Sequence, residues 1–389
     1  MHQQIQTSQQ SQQQHRQISP QQAQPQLKVY YIEKEDKLKE AFREWLSCSE
    51  LGIDIECENN LHHYGAYISI VQISSREKNW VVDLITLKDV SLLVQMLQNG
   101  SINKIFHDVS FDFRILKHQL NCRPKNIFDT QLAAMLLGKK DIGLGSLLQE
   151  YFGVKKESKF QMADWTKRPL TPEMLIYAVK DTNKLIELKK ILAEELKAKN
   201  RTSWMEEECA LIESTDYQYK EGDFFDIKGV GKLSNSERAV LKKLFDLREF
   251  LAKKVNRPVH FIISTAKMVD LSRNNPSLNE WLNMKSVHPI VRMKGKLFYD
   301  EVMKAKKTEL PMPRQGPRKS YTQHQKDEFE KYNQIRDVLS EKLGMEKHMI
   351  LSKDQIRDIV VNENMNHLNA WQRELVLQEL KKMQQVKMQ

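Results

Sequence analysis

The run Leu51-Gly-Ile-Asp-Ile-Glu56 constrains the fold more than any other stretch of the chain. Apolar residues dominate it, so it reads as a strand, with Asp54 and Glu56 two positions apart. Side chains on a strand alternate faces, which puts both carboxylates on one side, one pleat apart. Paired anions on a strand otherwise built from Leu and Ile repel each other and resist burial. A cation belongs between them, and for all-oxygen ligands a hard divalent ion is the natural candidate. An isolated D-x-E pair more often marks a strand end facing water, so the reading depends on acids elsewhere in the chain.

At 389 residues the chain is long enough for two or three domains. The net charge of +10 and pI of about 9.1 point toward a polyanionic partner such as nucleic acid. Cys48, Cys57, Cys122 and Cys209 lie far apart with no C-x-x-C pairing. That spacing indicates neither a zinc site nor a disulfide framework and fits a reducing, cytoplasmic setting. There is no apolar run of about 18 residues and no signal-peptide core at the N-terminus, so no membrane association is expected. With no G-x-x-x-x-G-K-[ST] loop anywhere, a helicase is excluded.

Residues 1–26 form a Gln-rich polar tract, with Gln12-Gln13-Gln14 near its centre, expected to be a disordered tail. Periodicity then predicts a strand at 28–32, a helix at 37–46, and strands at 51–56, 67–73 and 79–85, the last three as an antiparallel meander. Helices at 90–97, 111–120 and 130–137 alternate with strands at 104–107 and 126–129, which reads as parallel βα units. A mixed sheet with a leading meander is the ribonuclease-H-like α/β layout. Thr171-Pro172 opens a long helix running to about residue 197. The acidic stretch 201–224 reads as a connector. Capping-box patterns at Ser234-Asn-Ser-Glu237 and Ser352-Lys-Asp-Gln355 open helices in two further all-α units, 225–307 and 321–389, separated by a proline-rich basic linker at 308–320. The α/β domain itself is expected at 27–200.

Two more acidic signals accompany the opening pair. In His107-Asp-Val-Ser-Phe-Asp112 the chain leaves a strand and enters a helix, so Asp112 lies near the helix start. In Tyr177-Ala-Val-Lys-Asp181 the tyrosine and aspartate are four apart on one helix, hence on one face. Alone, the first is an ordinary partner for a helix dipole and the second is surface decoration. In this order, on these element types, they resemble the four-acid, one-tyrosine signature of the DEDDy exonucleases. Asp54-Ile-Glu-Cys-Glu-Asn-Asn-Leu-His-His-Tyr64, Phe128-Asp-Thr130 and Asp164-Trp-Thr-Lys-Arg-Pro-Leu170 narrow the resemblance to the ribonuclease D family, over about residues 27–198. The two helical units resemble the helicase-and-RNase-D C-terminal (HRDC) type, the first more closely than the second.

The resemblance implies a 3'-5' exoribonuclease that trims structured RNA with single-stranded 3' ends, tRNA precursors above all, and releases nucleoside 5'-monophosphates. It implies two divalent ions, Mg²⁺ or Mn²⁺, about 3.5–4 Å apart. Asp54 would touch both, Glu56 and Asp181 would complete one shell, and Asp112 would support the other. Tyr177 would hydrogen-bond the attacking water; since tyrosine titrates near ~10, it is cast as an orienter rather than the principal base. His62, His63 and Tyr64 are candidates for the terminal-nucleotide pocket, and Trp165 and Arg168 for the substrate backbone. For Trp165 the more ordinary reading is an aromatic packed under a loop. Asp108 reads as a cap or a solvent-facing acid, Asp129 as an N-cap and Glu58 as a loop acid facing solvent. Lys242, Lys243, Lys253, Lys254 and Arg257 on the first helical unit could extend the grip on RNA. A monomer is expected. The alternatives are a DNA 3'-5' exonuclease and a non-catalytic RNA-binding protein on an exonuclease scaffold; the presence of all five signature residues argues against the second.

Overall fold

One sheet organises the first half of the chain. The computed structural model describes residues 27–219, 222–274, 276–313 and 320–387, so the expected tail at 1–26 and residues 314–319 of the expected linker lie outside the described residues. The strands are β1 (Val29–Ile32), β2 (Glu50–Asn59), β3 (Ala66–Ser74), β4 (Asn79–Asp83), β5 (Asn103–Phe106) and β6 (Ile127–Asp129), in the order β1-β4-β3-β2-β5-β6. β2, β3 and β4 form the expected antiparallel meander, and β5 and β6 add to β2 in parallel. β1 closes the other edge by pairing in parallel with β4.

β2 continues past Glu56 to Asn59, with a bulge between Glu56 and Cys57. Leu51, Ile53 and Ile55 are buried in the main core with Trp45, Phe106 and Leu116. Alternation therefore turns Gly52, Asp54 and Glu56 to the opposite face. Glu56 stands opposite Ile70 of β3, which packs in a smaller cluster with Val81, Trp165 and Tyr177.

Eight helices surround the sheet: α1 (Glu35–Leu46), α2 (Ser91–Gln98), α3 (Val109–Leu120), α4 (Thr130–Leu137), α5 (Leu144–Phe152), α6 (Pro172–Lys180), α7 (Leu185–Ala198) and α8 (Thr202–Ser214), counted among the described residues. Two of these correct the sequence reading. The long helix expected from Thr171 is two helices, α6 and α7, broken at 181–184, so Asp181 is a C-cap residue and not mid-helix. The expected connector contains α8, whose Met205, Cys209 and Ile212 recur at helical spacing and join the main core. Glu207 caps α18, its Oε2 accepting from the backbone N–H groups of Ala370 and Trp371 at 2.5 and 3.4 Å, and Glu208 Oε1 accepts from the Trp371 indole Nε1 at 3.2 Å.

The first helical unit comprises α9 (Asn235–Val255), α10 (Val259–Ile262), α11 (Thr265–Asn274), α12 (Leu278–Leu282), α13 (Pro289–Met293) and α14 (Gly295–Ala305) around its own core, where Trp281 stacks on Phe298 at 4.9 Å. The expected capping box at Ser234 and Glu237 opens α9. α15 (Gln323–Leu343), α16 (Lys347–Ile350), α17 (Lys353–Asn362) and α18 (Ala370–Lys387) form the second unit. Its Ile335, Leu339 and Trp371 belong to the same buried cluster as the sheet's helices. Trp371 stacks on Trp204 of α8 at 4.6 Å, and Arg201 bridges Leu136 O and Leu343 O at 2.5 and 2.9 Å. No helix among the described residues is long and apolar enough to cross a membrane.

Candidate active site

Two elements converge on the polar face of β2. The turn after α6 is bound to the sheet next to Asp181: Thr182 Oγ1 lies 2.6 Å from Ser74 Oγ, which donates to Asn79 Oδ1 at 2.8 Å. Gly52 admits this approach, because a Cβ there would stand 2.6 Å from the Thr182 carbonyl oxygen. Asp181 is thereby brought down onto the strand that carries Asp54. Gly52→Ala should therefore force the turn outward, costing about 1–3 kcal/mol in stability and ~10-fold or more in turnover. Thermal melts and single-turnover cleavage would check this; a fully active Gly52→Ala would show that the approach does not position Asp181.

α3 is held by Asp129, whose carboxylate serves two helix starts. It accepts from Asp108 N and Val109 N at 3.1 and 3.0 Å, and from Gln131 N and Leu132 N at 2.8 and 3.3 Å. The expected cap at Asp129 is thus present, and it also fixes α3, which bears Asp112 in its first turn. Asp108 occupies a left-handed conformation at φ 63° and accepts from Ser110 Oγ at 2.8 Å.

One oxygen from each of Asp54, Glu56 and Asp181 lies within 4.8 Å of the others. Asp112, 9% exposed, lies outside this trio but in its field. Burial first, then the Asp181 charge, holds Asp54 at about 7, with Lys156 pulling the other way. Glu56 is raised by burial and by the charges of Asp54 and Asp181. Burial and then the Asp54 charge raise Asp112; burial raises Asp181 against the opposing pull of Lys156. Four mutually repelling acids around one cleft, with three oxygens clustered, suit a hard divalent cation, which takes oxygen ligands and removes the repulsion.

Tyr177 is 6% exposed and packs edge-on against Phe160 at 5.4 Å and beside Trp165 at 6.1 Å. Burial and the charges of Asp181, Glu56 and Asp54 push its phenol up to about 12, so it stays protonated and is a hydrogen-bond donor at neutral pH. His107 also borders the site. Its Nδ1 is 2.9 Å from Thr130 Oγ1, whose own proton goes to Phe106 O at 2.9 Å. Nδ1 therefore carries the hydrogen, and the bare Nε2 is buried without a partner among the described residues. Burial, then the Lys156 charge, pushes His107 down to about 4.

The residues expected to bind substrate are placed differently. Trp165 is 3% exposed and supports Tyr177. All five Arg168 N–H donors are engaged within the protein: Nε and Nη2 hold the buried Asp83 at 2.5 and 2.7 Å, Nη1 reaches Trp165 O and Lys167 O, and Nη2 reaches Ser69 O. Tyr31 also donates to Asp83. Arg168 anchors a loop to the sheet. His63 bridges Asp164 Oδ2 at 3.2 Å and Asn256 of the first helical unit at 3.3 Å, and the Tyr64 backbone N–H donates to Asn256 Oδ1 at 3.2 Å. These two tie the β2–β3 loop to the first helical unit. His62 sits 3.6 Å from Glu58, which is 2% exposed and accepts from Leu61 N and His62 N; the expectation of a solvent-facing Glu58 is corrected. Glu58, His63 and Asp164 also cluster within metal-binding range, but the two carboxylates already fix loops and both His63 ring nitrogens face partners. Lys156, 2.9 Å from Asp181, escaped the sequence reading, because the charged run around it looks like solvated loop.

Residues 29–197, which carry every one of these acids, match the 3'-5' exonuclease domain family. Over 332 residues the chain is 25% identical to ribonuclease D of Desulfotalea psychrophila, covering 84% of this chain and 88% of that protein. Residues 29–197 thus form a 3'-5' exonuclease domain, and the chain as a whole is similar to ribonuclease D. It is also 36% identical over 155 residues to exosome complex component 10 of Mus musculus, covering 39% of this chain but 17% of that protein. The crystal structure of Escherichia coli RNase D superposes with a TM-score of 0.69 at 23% identity, over 92% of this chain and 99% of that one, which carries the ribonuclease D fold. Divalent-metal dependence goes with this family, in keeping with the acidic cluster.

Proposed function

We propose that this ribonuclease D-type enzyme trims the 3' ends of structured RNA, tRNA precursors included, releasing nucleoside 5'-monophosphates with two Mg²⁺ or Mn²⁺ ions. The observation that carries this is the meeting of Asp54, Glu56 and Asp181 oxygens within 4.8 Å, from segments far apart in sequence. Asp54, Glu56 and Asp181, with Asp112 behind them, would hold the ions. Once bound, the ions would supply Lewis acidity for a water nucleophile and offset charge on the departing 3' oxygen.

The protein's own residues do the rest. Tyr177, protonated and braced by Phe160 and Trp165, donates a hydrogen bond that orients the attacking water. The Asp129 and Thr182 tethers fix where Asp112 and Asp181 stand, so little reorganisation is needed when substrate enters. The helical units, proposed as HRDC-type, extend the RNA surface. Lys242 and Lys243 are paired with Asp246 and Glu301, at 2.5 and 3.3 Å. Lys253, Lys254 and Arg257 have no ion pair among the described residues and are the better candidates for phosphate contact. A monomer acting in the cytoplasm accords with this reading.

The test is digestion of end-labelled tRNA precursor, resolved nucleotide by nucleotide, beside a matched DNA strand. A ladder shortening singly from the 3' end, with Mg²⁺ or Mn²⁺ required and RNA preferred, is expected. Undiminished cleavage in excess EDTA refutes the metal site, and equal cleavage of DNA refutes the RNA preference.

A further inference from the structure

The strap between α5 and α6 places a cation where the metal site needs none. Lys156 Nζ lies 2.9 Å from Asp181 Oδ1, and its side chain is 35% exposed while that of Asp181 is 9% exposed. It is the only ion-pair partner of Asp181 among the described residues, and its charge also bears on Asp54 and Glu56. The contact has a built seat. A Cβ at Gly145, in the first turn of α5, would meet Lys156 Cβ at 3.2 Å and Cδ at 3.7 Å, so the lysine stem lies across a gap left by a missing side chain. Beyond α5 the strap carries no helix or strand at Lys156, so little regular structure opposes its movement.

We propose that Lys156 is a resident counter-cation of the catalytic carboxylates, seated on Asp181 until a divalent ion displaces it, and that it thereby sets how tightly the ion binds. An ammonium has three donors and no way to coordinate. While it holds the Asp181 oxygen it occupies the lone pair a metal would use, and two cations on one carboxylate repel. Metal and lysine are therefore alternative partners, linked as two competing ligands are. The long stem allows the exchange, because the ammonium can swing into water with its Cβ still seated over Gly145. This device keeps the metal-free site from being a bare cluster of anions, and it leaves Lys156 released beside the cleft once metal is in place.

The inference rests on the reading of Asp54, Glu56 and Asp181 as metal ligands, and one experiment separates the two. Mn²⁺ is titrated calorimetrically into the full-length, EDTA-stripped protein, as wild type, Lys156→Met, Lys156→Arg and Gly145→Val. Lys156→Met should bind Mn²⁺ ~10-fold more tightly, within the usual range of coupling between ligands, and its metal-free form should melt below wild type. Lys156→Arg, which keeps the charge, should retain wild-type affinity. Gly145→Val, which unseats the stem while keeping the lysine, should shift affinity in the same direction as Lys156→Met, and it decides the matter if Lys156→Met does not fold. Wild type that binds no Mn²⁺ overturns the metal reading and this inference with it. Wild type that binds, with Lys156→Met binding equally or more weakly, overturns the counter-cation alone.

Discussion

Asp54→Asn should abolish RNA cleavage and, in the absence of metal, make the protein more stable. The two effects share one cause. Asp54, Glu56 and Asp181 each place one oxygen within 4.8 Å of the others, and the Asp54 charge also bears on Asp112, so its loss touches the whole set. Losing it should lower turnover by at least ~10³-fold, the upper range for removing one preorganised electrostatic group. Without metal the same carboxylate is a liability, because burial and the Asp181 charge hold it at about 7 against an ordinary 3.8. At pH 8 it is ionised in both folded and unfolded chains, and the folded state bears the repulsion. An asparagine keeps the shape, removes the charge and offers N–H donors to Glu56 and Asp181. A gain of about 2 kcal/mol, half or less of what the shift alone would give, raises the melting temperature by ~5 °C for a domain of this size. Melts in EDTA at pH 8 and single-turnover cleavage in Mg²⁺ measure both. An active Asp54→Asn removes the residue from the site, and an Asp54→Asn that melts lower in EDTA removes the repulsion argument.

The elements that sequence conveyed were those whose pattern is local. β2 announced itself through alternation, α4 through an acid cap and an apolar run, and the meander through short turn-rich links. The break between α6 and α7 was hidden because apolar residues keep helical spacing through Ala178, Leu185 and Leu188. What ends α6 is a long-range contact, Thr182 against Ser74 and Gly52, which no window of sequence contains. α8 was hidden for a related reason: Glu207 and Glu208 look solvated until α18 arrives, its first turn capped by Glu207 and its Trp371 indole held by Glu208. The acids of the site were legible through their order and the resemblance they carry. Their supports were not, since nothing next to Arg168 in the chain reveals Asp83, 2.5 Å away.

Chelated protein should lose stability as pH rises from about 4 to about 7 through this cluster, and divalent metal should restore it increasingly over the same span. A carboxylate whose folded value exceeds its unfolded one binds protons more tightly when folded. Its stabilising contribution is complete below the unfolded value of 3.8 and is lost as pH climbs through the folded value, about 7 for Asp54. Glu56, Asp112 and Asp181 are shifted in the same direction, and the four titrate as a coupled set. His107 opposes them: held down at about 4, it contributes stability above its ordinary 6.5 that is lost as pH falls toward 4. One imidazole set against four acids leaves the sign with the acids. Metal requires the deprotonated ligands, so binding releases protons and strengthens with pH. The cleanest readout is the melting temperature in Mg²⁺ minus that in EDTA, which cancels titrating groups elsewhere in the protein. The increment should be near zero at pH 5 and grow steadily to pH 8, with RNA turnover rising over the same interval. An increment that stays flat with pH would mean that the ions are held by groups other than these four carboxylates.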